Sequence, residues 1–162
     1  MTRPCEAGRN GIADRSYGEV GVNRPDLDVT SVTIAAPDPR ELAAFYERLL
    51  GWVVSAREPA RPGFPPEDGW AQLRPPAGRT GPTLNFEYEA HYTPPVWPTE
   101  PGSQQITEHL DIAVTDVDQA VAWALEAGAR LAEYQPQEDV RVVLDPAGHP
   151  FCLFLSRPAG DG

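Results

Sequence analysis

The chain has 162 residues, with 24 acidic and 13 basic side chains, and therefore a formal net charge of −11. An acidic balance of this size disfavours nucleic acids and anionic membranes as partners, because both require a basic face. The hydrophobic fraction of 41% suffices for a packed interior. We expect one soluble domain, or two small modules that share a core.

The two ends of the chain are predicted to be tails. Residues 1–26 contain no apolar run that resembles a signal peptide, and residues 158–162 are short and polar. Cys5 lies in this polar N-terminal segment and Cys152 in an apolar one, so a disulfide is not expected and a reducing cytoplasm fits. No stretch reaches the roughly 18 apolar residues of a membrane span.

The first predicted module covers residues 27–90 and begins with a strand at Ser31. Asp38 is the predicted N-cap of a helix, Pro39 suits its first position, and Gly51 can end it. Apolar residues follow at helical spacing: Leu42, Phe45, Tyr46 and Leu49. Three strand candidates come next, which gives the order β-α-β-β-β: WVVSAR, WAQLR and TLNFEYE.

A second copy of this pattern, residues 107–157, follows a proline-rich linker at residues 91–106. The same offset separates Ser31 from His109 and the capping Asp38 from Asp116. After the second helix come the strand candidates ARLAEY, VRVVL and PFCLFL, with DPAGHP as the turn before the last. The chain is therefore an internal repeat of two similar modules.

These paired modules resemble the vicinal oxygen chelate superfamily, and most of all its actinobacterial glyoxalase-like domain proteins. The resemblance rests on APDPRELAAFYERLLGW in the first module and on HLDIAV and VVLDPAGHPFCLFL in the second. The superfamily includes glyoxalase I, bleomycin-resistance proteins and extradiol dioxygenases. It implies an α+β fold, in which two βαβββ modules form a curved mixed sheet, a half-barrel cup, with the helices on its convex face. It also implies a homodimer.

Strand periodicity then predicts which side chains face the cup. Leu110, Ile112 and Val114 alternate with Asp111, so one face of this strand is apolar and the other polar. By the same alternation, one face of two strands carries polar groups that are expected to converge in one shared hollow: Asn85, Glu87, His109 and Asp111.

Metal-dependent members of the superfamily have one ligand on each of four strands. By motif position these are Ser31, Glu87 (or Asn85 if the register slips), His109 and Cys152. Serine is a poor ligand and cysteine replaces the usual glutamate, so two of the four positions are lost. We therefore expect no cofactor; if a divalent metal binds, we expect Glu87, His109 and Cys152 to hold it.

The histidines also have simpler interpretations. His109 can be a pocket or interface histidine held by a neighbouring carboxylate or carbonyl group. His91 follows a strand at the start of the linker, and His149 occupies a turn, where we predict a solvated side chain.

The leading hypothesis is a metal-independent protein that binds a small aromatic molecule in the cup, as bleomycin-resistance proteins do. Tryptophan and tyrosine provide flat apolar area with a polar group. The predicted ligand-binding residues are Ser31, Trp52, Trp70, Asn85, Trp97, Asp111, Cys152 and Phe154. The alternative is a lyase, isomerase or dioxygenase-like enzyme with Glu87 and His109 as catalytic acid and base or as metal ligands. A third possibility is an accessory module whose cup is closed by aromatic side chains.

Overall fold

The computed structural model describes residues 26–156, so both predicted tails, apart from Asp26, lie outside the described residues. The first module contains β1 (Ser31–Ala36), α1 (Pro39–Leu50), β2 (Val53–Glu58), β3 (Trp70–Arg74) and β4 (Thr83–Tyr88). The second contains β5 (Leu110–Val114), α2 (Val117–Ala127), β6 (Arg130–Leu131), β7 (Val140–Leu144) and β8 (Pro150–Leu155). The predicted α+β fold with two βαβββ modules is confirmed.

Local capping interactions define the first helix as predicted. The Asp38 carboxylate accepts hydrogen bonds from the backbone N–H groups of Arg40 and Glu41, both at 3.1 Å. These bonds satisfy donors that have no partner within the helix. Gly51 ends the helix with φ of 64°, a left-handed conformation in which other residues are strained. Both helix boundaries are therefore set by neighbouring residues.

The strands form two separate four-stranded sheets, β1-β4-β3-β2 and β5-β8-β7-β6. In each sheet one pair of neighbouring strands is parallel, namely β1 with β4 and β5 with β8. The other pairings are antiparallel. Within the part of the chain that the structure describes, β1 and β5 each have a neighbouring strand on one side only. Each therefore has a free edge, where backbone N–H and C=O groups remain available to other partners.

One hydrophobic core joins the two modules. The ring of Tyr46 on α1 stacks on Phe86 of β4, with centroids 5.5 Å apart, and lies 6.2 Å from Phe151 of β8. The helices also contact each other, because the indole N–H of Trp123 donates a 3.0 Å hydrogen bond to the Leu49 carbonyl oxygen. The two modules consequently have a fixed relative position.

The predicted alternation of the strands agrees with burial. Leu84 and Phe86 are buried in the core while Glu87 is exposed. On β5, Leu110 and Ile112 pack against the core and Asp111 is exposed. The helix-covered face of each sheet is thus apolar and the opposite face polar. Among residues 26–156, no helix has both the length and the apolar character that a bilayer crossing requires.

Candidate functional site

A cleft of about 840 Å³ runs along the free edge of β1. Its walls are β1 residues 32–35, parts of the segment 89–110, and the turn between β7 and β8. The only three histidines of the chain, His91, His109 and His149, all line it. We call this space the histidine cleft.

His149 is held by a buried carboxylate beneath the histidine cleft. Asp145 is 0% exposed, and its Oδ1 accepts the backbone N–H of His149 at 2.9 Å. The imidazole Nδ1 of His149 lies 3.0 Å from Oδ2 of Asp145. On the other side of the ring, Nε2 lies 3.1 Å from the Tyr92 hydroxyl oxygen. These contacts form a chain from the interior to the histidine cleft.

Tyr46 provides a second donor to the same carboxylate. Its hydroxyl donates a 3.1 Å hydrogen bond to Oδ2 of Asp145, and its ring is 1% exposed. Burial, and then the nearby Asp145 carboxylate, raises the pKa of Tyr46 well above its usual value. The same two causes raise the pKa of Tyr92. Both phenols therefore stay protonated and act as hydrogen-bond donors.

The linker is fixed over this cluster by close contacts with the turn. The Tyr92 hydroxyl also donates a 3.0 Å hydrogen bond to the Ala147 carbonyl oxygen. Gly148 has φ of +96°, and a Cβ atom there would lie only 3.0 Å from Cβ of Pro94. The linker and the turn can approach this closely because the turn residue is glycine.

A second polar cluster lies on the exposed face of the β5–β8 sheet. Nε2 of His109 is 3.3 Å from the carboxylate of Asp111, which pairs in register with Cys152. The side chains of His109 and Asp111 are 47% and 63% exposed. Burial, followed by the charge of Asp111 and a hydrogen bond to it, raises the pKa of the Cys152 thiol.

These three side chains offer donors of the kind that hold a divalent metal. One ligand atom from each of His109, Asp111 and Cys152 lies within 4.8 Å of the other two. Imidazole, carboxylate and thiolate are all zinc ligands, so the donor types fit. The expected set differs in one member: Glu87 lies on the other sheet, in register with Ala35 and Trp70. Asp111 takes its place beside His109 and Cys152.

The remaining predicted residues occupy several regions. Asn85 accepts a 2.8 Å hydrogen bond from the Gln72 side chain, and Ser31 pairs with Thr83. Trp52 packs against the core, and the indole N–H of Trp97 donates to the Tyr134 carbonyl oxygen at 3.0 Å. Phe154 is half-buried. Of the ten predicted site residues, only His109 lines the histidine cleft.

Sequence reasoning missed the Asp145–His149–Tyr92 chain. The prediction that His149 is a solvated turn residue is wrong: its side chain is 23% exposed and contacts Asp145 and Tyr92. The DPAGHP turn was the available signal, since it places the aspartate and the histidine four residues apart. The contact with Tyr92 is long-range and left no pattern in the sequence. His91, at the start of the linker, is exposed.

Comparison with known proteins gives one family and several related folds. A family model described as a glyoxalase-like domain matches residues 31–154. A glyoxalase/bleomycin resistance protein/dioxygenase family enzyme from Burkholderia phytofirmans PsJN is 20% identical, with a TM-score of 0.57 over 80% of this chain and 98% of that one. TnmS3, an antibiotic binding protein from Streptomyces sp. CB03234, is 18% identical, with a TM-score of 0.53 over 83% and 100%.

A glyoxalase family protein from Enterococcus faecalis is likewise 20% identical, with a TM-score of 0.55 over 78% of this chain and 96% of that one. Identities this low establish a common fold and nothing about a shared ligand. No curated protein matches the chain.

Proposed function

Because the chain belongs to the glyoxalase-like domain family of the vicinal oxygen chelate superfamily, we propose that it binds a small aromatic organic molecule in the histidine cleft, without a metal ion. The observation that carries this proposal is a cleft of about 840 Å³ on which all three histidines converge. Small-molecule sites in proteins commonly measure about 300–1,000 Å³. This space is large enough for a metabolite or an antibiotic fragment.

The lining of the cleft suits an aromatic ligand that also carries polar groups. Val32, Ile34 and Leu110 provide apolar contacts, and the Tyr92 ring provides an aromatic one. The free edge of β1 offers backbone donors and acceptors, and the imidazoles offer further ones. Apolar walls with a few convergent polar groups are typical of ligand sites. The antibiotic-binding description of TnmS3, which has a similar fold, agrees with ligand binding as the role.

Metal-independent binding is supported by the side chains at the ligand positions that the family resemblance implies. Ser31 is a poor metal ligand, and Cys152 stands where a glutamate is usual. Glu87, the carboxylate that the family pattern supplies, lies on the other sheet. We expect protein purified without chelators to contain much less than one equivalent of divalent metal, and ligand affinity to be unchanged by EDTA. Stoichiometric metal that His109→Ala removes would contradict this part of the proposal.

The second candidate function is that of a metal-dependent lyase or isomerase. It is favoured by one observation, the three donors within 4.8 Å on the β5–β8 sheet. His109, Asp111 and Cys152 would hold the ion, and a zinc ion there would polarise a carbonyl oxygen of the substrate. The metal measurement above distinguishes this candidate from the first.

The internal repeat provides a matched pair of variants that tests the location of the site. Ala35 and Ala113 occupy equivalent positions of the repeat, and both are exposed on edge strands. Ala35 lines the histidine cleft, whereas Ala113 lies beside Phe154 on the outer face of the other sheet. We expect Ala35→Trp to lower the affinity for an aromatic ligand at least roughly 10-fold, because the indole takes up part of the space in the cleft that the ligand needs. Ala113→Trp should leave the affinity unchanged.

A screen of planar aromatic compounds by isothermal titration calorimetry supplies the ligand for this comparison. Loss of binding in Ala113→Trp but not in Ala35→Trp would move the site to the outer sheet face. A wild-type protein that binds no compound of the screen would contradict the proposal.

We also propose a homodimer, as the family resemblance implies. The polar faces of both sheets are exposed in one chain, with Glu87 on one face and Asp111 on the other. A second copy can cover these faces and bring such groups together. Light scattering should give about twice the chain mass of 17.7 kDa. A monomer at the highest soluble concentration would contradict the proposal.

A further inference from the structure

The tautomer of His149 follows from its contact with Asp145. A carboxylate accepts hydrogen bonds and does not donate them, so Nδ1 of His149 must carry the proton that points at Oδ2, 3.0 Å away. The neutral ring then has its lone pair on Nε2. This nitrogen lies 3.1 Å from the Tyr92 hydroxyl oxygen, and both residues line the histidine cleft.

Tyr92 has two acceptors within reach of one hydroxyl hydrogen. Its oxygen lies 3.1 Å from Nε2 of His149 and 3.0 Å from the Ala147 carbonyl oxygen. If the hydroxyl donates to Ala147, Nε2 is free to accept from another group. If Nε2 carries a proton, it donates to the Tyr92 oxygen while the hydroxyl donates to Ala147. Protonated His149 therefore leaves all of these groups paired, whereas neutral His149 leaves either Nε2 or the Ala147 carbonyl oxygen without the Tyr92 hydrogen.

The two phenols of the cluster are unsuited to take up a proton near neutral pH. Tyr46 and Tyr92 are already protonated, and their raised pKa values keep them so. The Asp145 carboxylate accepts from Tyr46 and from two nitrogen atoms of His149. Imidazole is the side chain that ordinarily gains a proton between pH 5 and 8. The charge of a protonated ring would lie beside the buried Asp145 carboxylate, whose Oδ2 is 3.0 Å from Nδ1.

From this geometry we infer that His149 is the proton acceptor for a weakly acidic ligand, a phenol or an enol, in the histidine cleft. The inference rests on the proposed function, since it requires a small molecule in this cleft. The ligand O–H bond breaks, its electron pair stays on the oxygen, and the proton forms a bond to Nε2. The products are a bound oxyanion and an imidazolium paired with Asp145. Asp145 and Tyr46 are positioning residues, because they act through His149.

Four other titratable side chains line the same cleft and are the competing acceptors: Glu89, His91, Glu108 and His109. All four are exposed. In the described hydrogen bonds, no buried carboxylate orients the ring of either histidine, and none contacts either glutamate. The experiment must therefore separate His149 from the other two histidines.

The test uses 4-nitrophenol and its methyl ether 4-nitroanisole as probes, at a pH slightly below the pKa of free 4-nitrophenol. The phenolate is yellow and the phenol is not, so we define the phenolate band as the increase in yellow absorbance over that of the free probe at the same pH. We expect wild type to bind 4-nitrophenol as the phenolate, at least roughly 10-fold more tightly than 4-nitroanisole. His149→Gln should bind both probes equally and without the phenolate band. Tyr134→Phe removes an exposed hydroxyl outside the cleft and should leave the band unchanged.

Three outcomes contradict the inference in distinguishable ways. If both probes bind wild type alike, only the proton-acceptor role fails. If the band survives His149→Gln and is lost in His109→Gln or His91→Gln, another histidine is the acceptor. If neither probe binds wild type, the inference fails together with the proposed function for this class of ligand.

A second measurement requires no ligand, and its first part uses the wild-type protein alone. Long-range ¹H–¹⁵N NMR of the wild-type imidazoles should show neutral His149 protonated at Nδ1, and Asp145→Asn should shift this tautomer. A neutral ring protonated at Nε2 would contradict the inference even if His149→Gln does not fold.

Discussion

Replacing Tyr46 with phenylalanine removes a single hydroxyl from the core that both modules share. The ring is buried between Phe45, Phe86 and Phe151, and phenylalanine retains these contacts. The hydroxyl donates to the buried Asp145 carboxylate, which then keeps only its contacts with His149. The substitution therefore tests one buried hydrogen bond to a carboxylate, with little change in packing.

The expected loss at pH 7 is about 2 kcal/mol in the free energy of unfolding. Hydrogen bonds to charged groups typically contribute about 1.5–3 kcal/mol, and a buried acceptor that loses its donor is not rehydrated. For a domain of this size the melting temperature should fall by roughly 6 °C. Tyr134→Phe, at an exposed position, should change the stability by less than about 0.5 kcal/mol.

The difference between wild type and Tyr46→Phe should shrink at alkaline pH. Burial and Asp145 raise the pKa of Tyr46 above its usual 10.0, so above this pH the unfolded chain loses a proton that the folded chain keeps. The unfolded state then binds fewer protons, and wild-type stability falls by up to about 1.4 kcal/mol per pH unit. Phenylalanine cannot ionise. By pH 11 the difference should be about 0.6 kcal/mol.

Urea unfolding of both proteins at pH 7 and pH 11, followed by circular dichroism, measures these quantities. A difference that stays constant or grows between the two pH values would refute the reasoning about Tyr46. A loss below about 0.5 kcal/mol at pH 7 would show that the hydroxyl does not support the Asp145 carboxylate.

Two other positions give sharp predictions. Gly148→Ala should lower the free energy of unfolding by about 2 kcal/mol, because Gly148 has a positive φ and its Cβ would lie only 3.0 Å from Pro94. Gly51→Ala also places a side chain at a positive φ, but nothing lies within 4 Å of its Cβ. It should lower the free energy of unfolding by about 1 kcal/mol. Thermal melts of both variants test this, and equal losses would exclude the contact with Pro94 as a constraint. Cys152 should react with iodoacetamide several-fold more slowly than free cysteine at pH 8, because burial and Asp111 raise its pKa. Asp111→Asn should accelerate the reaction in a variant without the chain's other cysteine; an unchanged rate would show that Asp111 does not suppress the thiolate.

Sequence alone determined the features that depend on neighbours along the chain. Asp38 and Gly51 define α1 because capping bonds span only a few residues. The alternation of Leu84 and Phe86 with Glu87 is a property of any strand with one buried face. The repeat of the whole pattern predicted the two modules and supported the resemblance to the family. These predictions required no knowledge of how the modules pack.

Tertiary structure alone decided which polar groups meet. Glu87 and His109 both point away from the core, as predicted, but their strands belong to separate sheets. Asp145 and Tyr46 are 99 residues apart, and Tyr92 and His149 are 57 apart, yet each pair forms a hydrogen bond. Such contacts depend on the packing of two modules around one core, and strand or helix periodicity specifies only the face on which a residue lies. The packing of that core therefore decides which faces meet and where the histidine cleft forms.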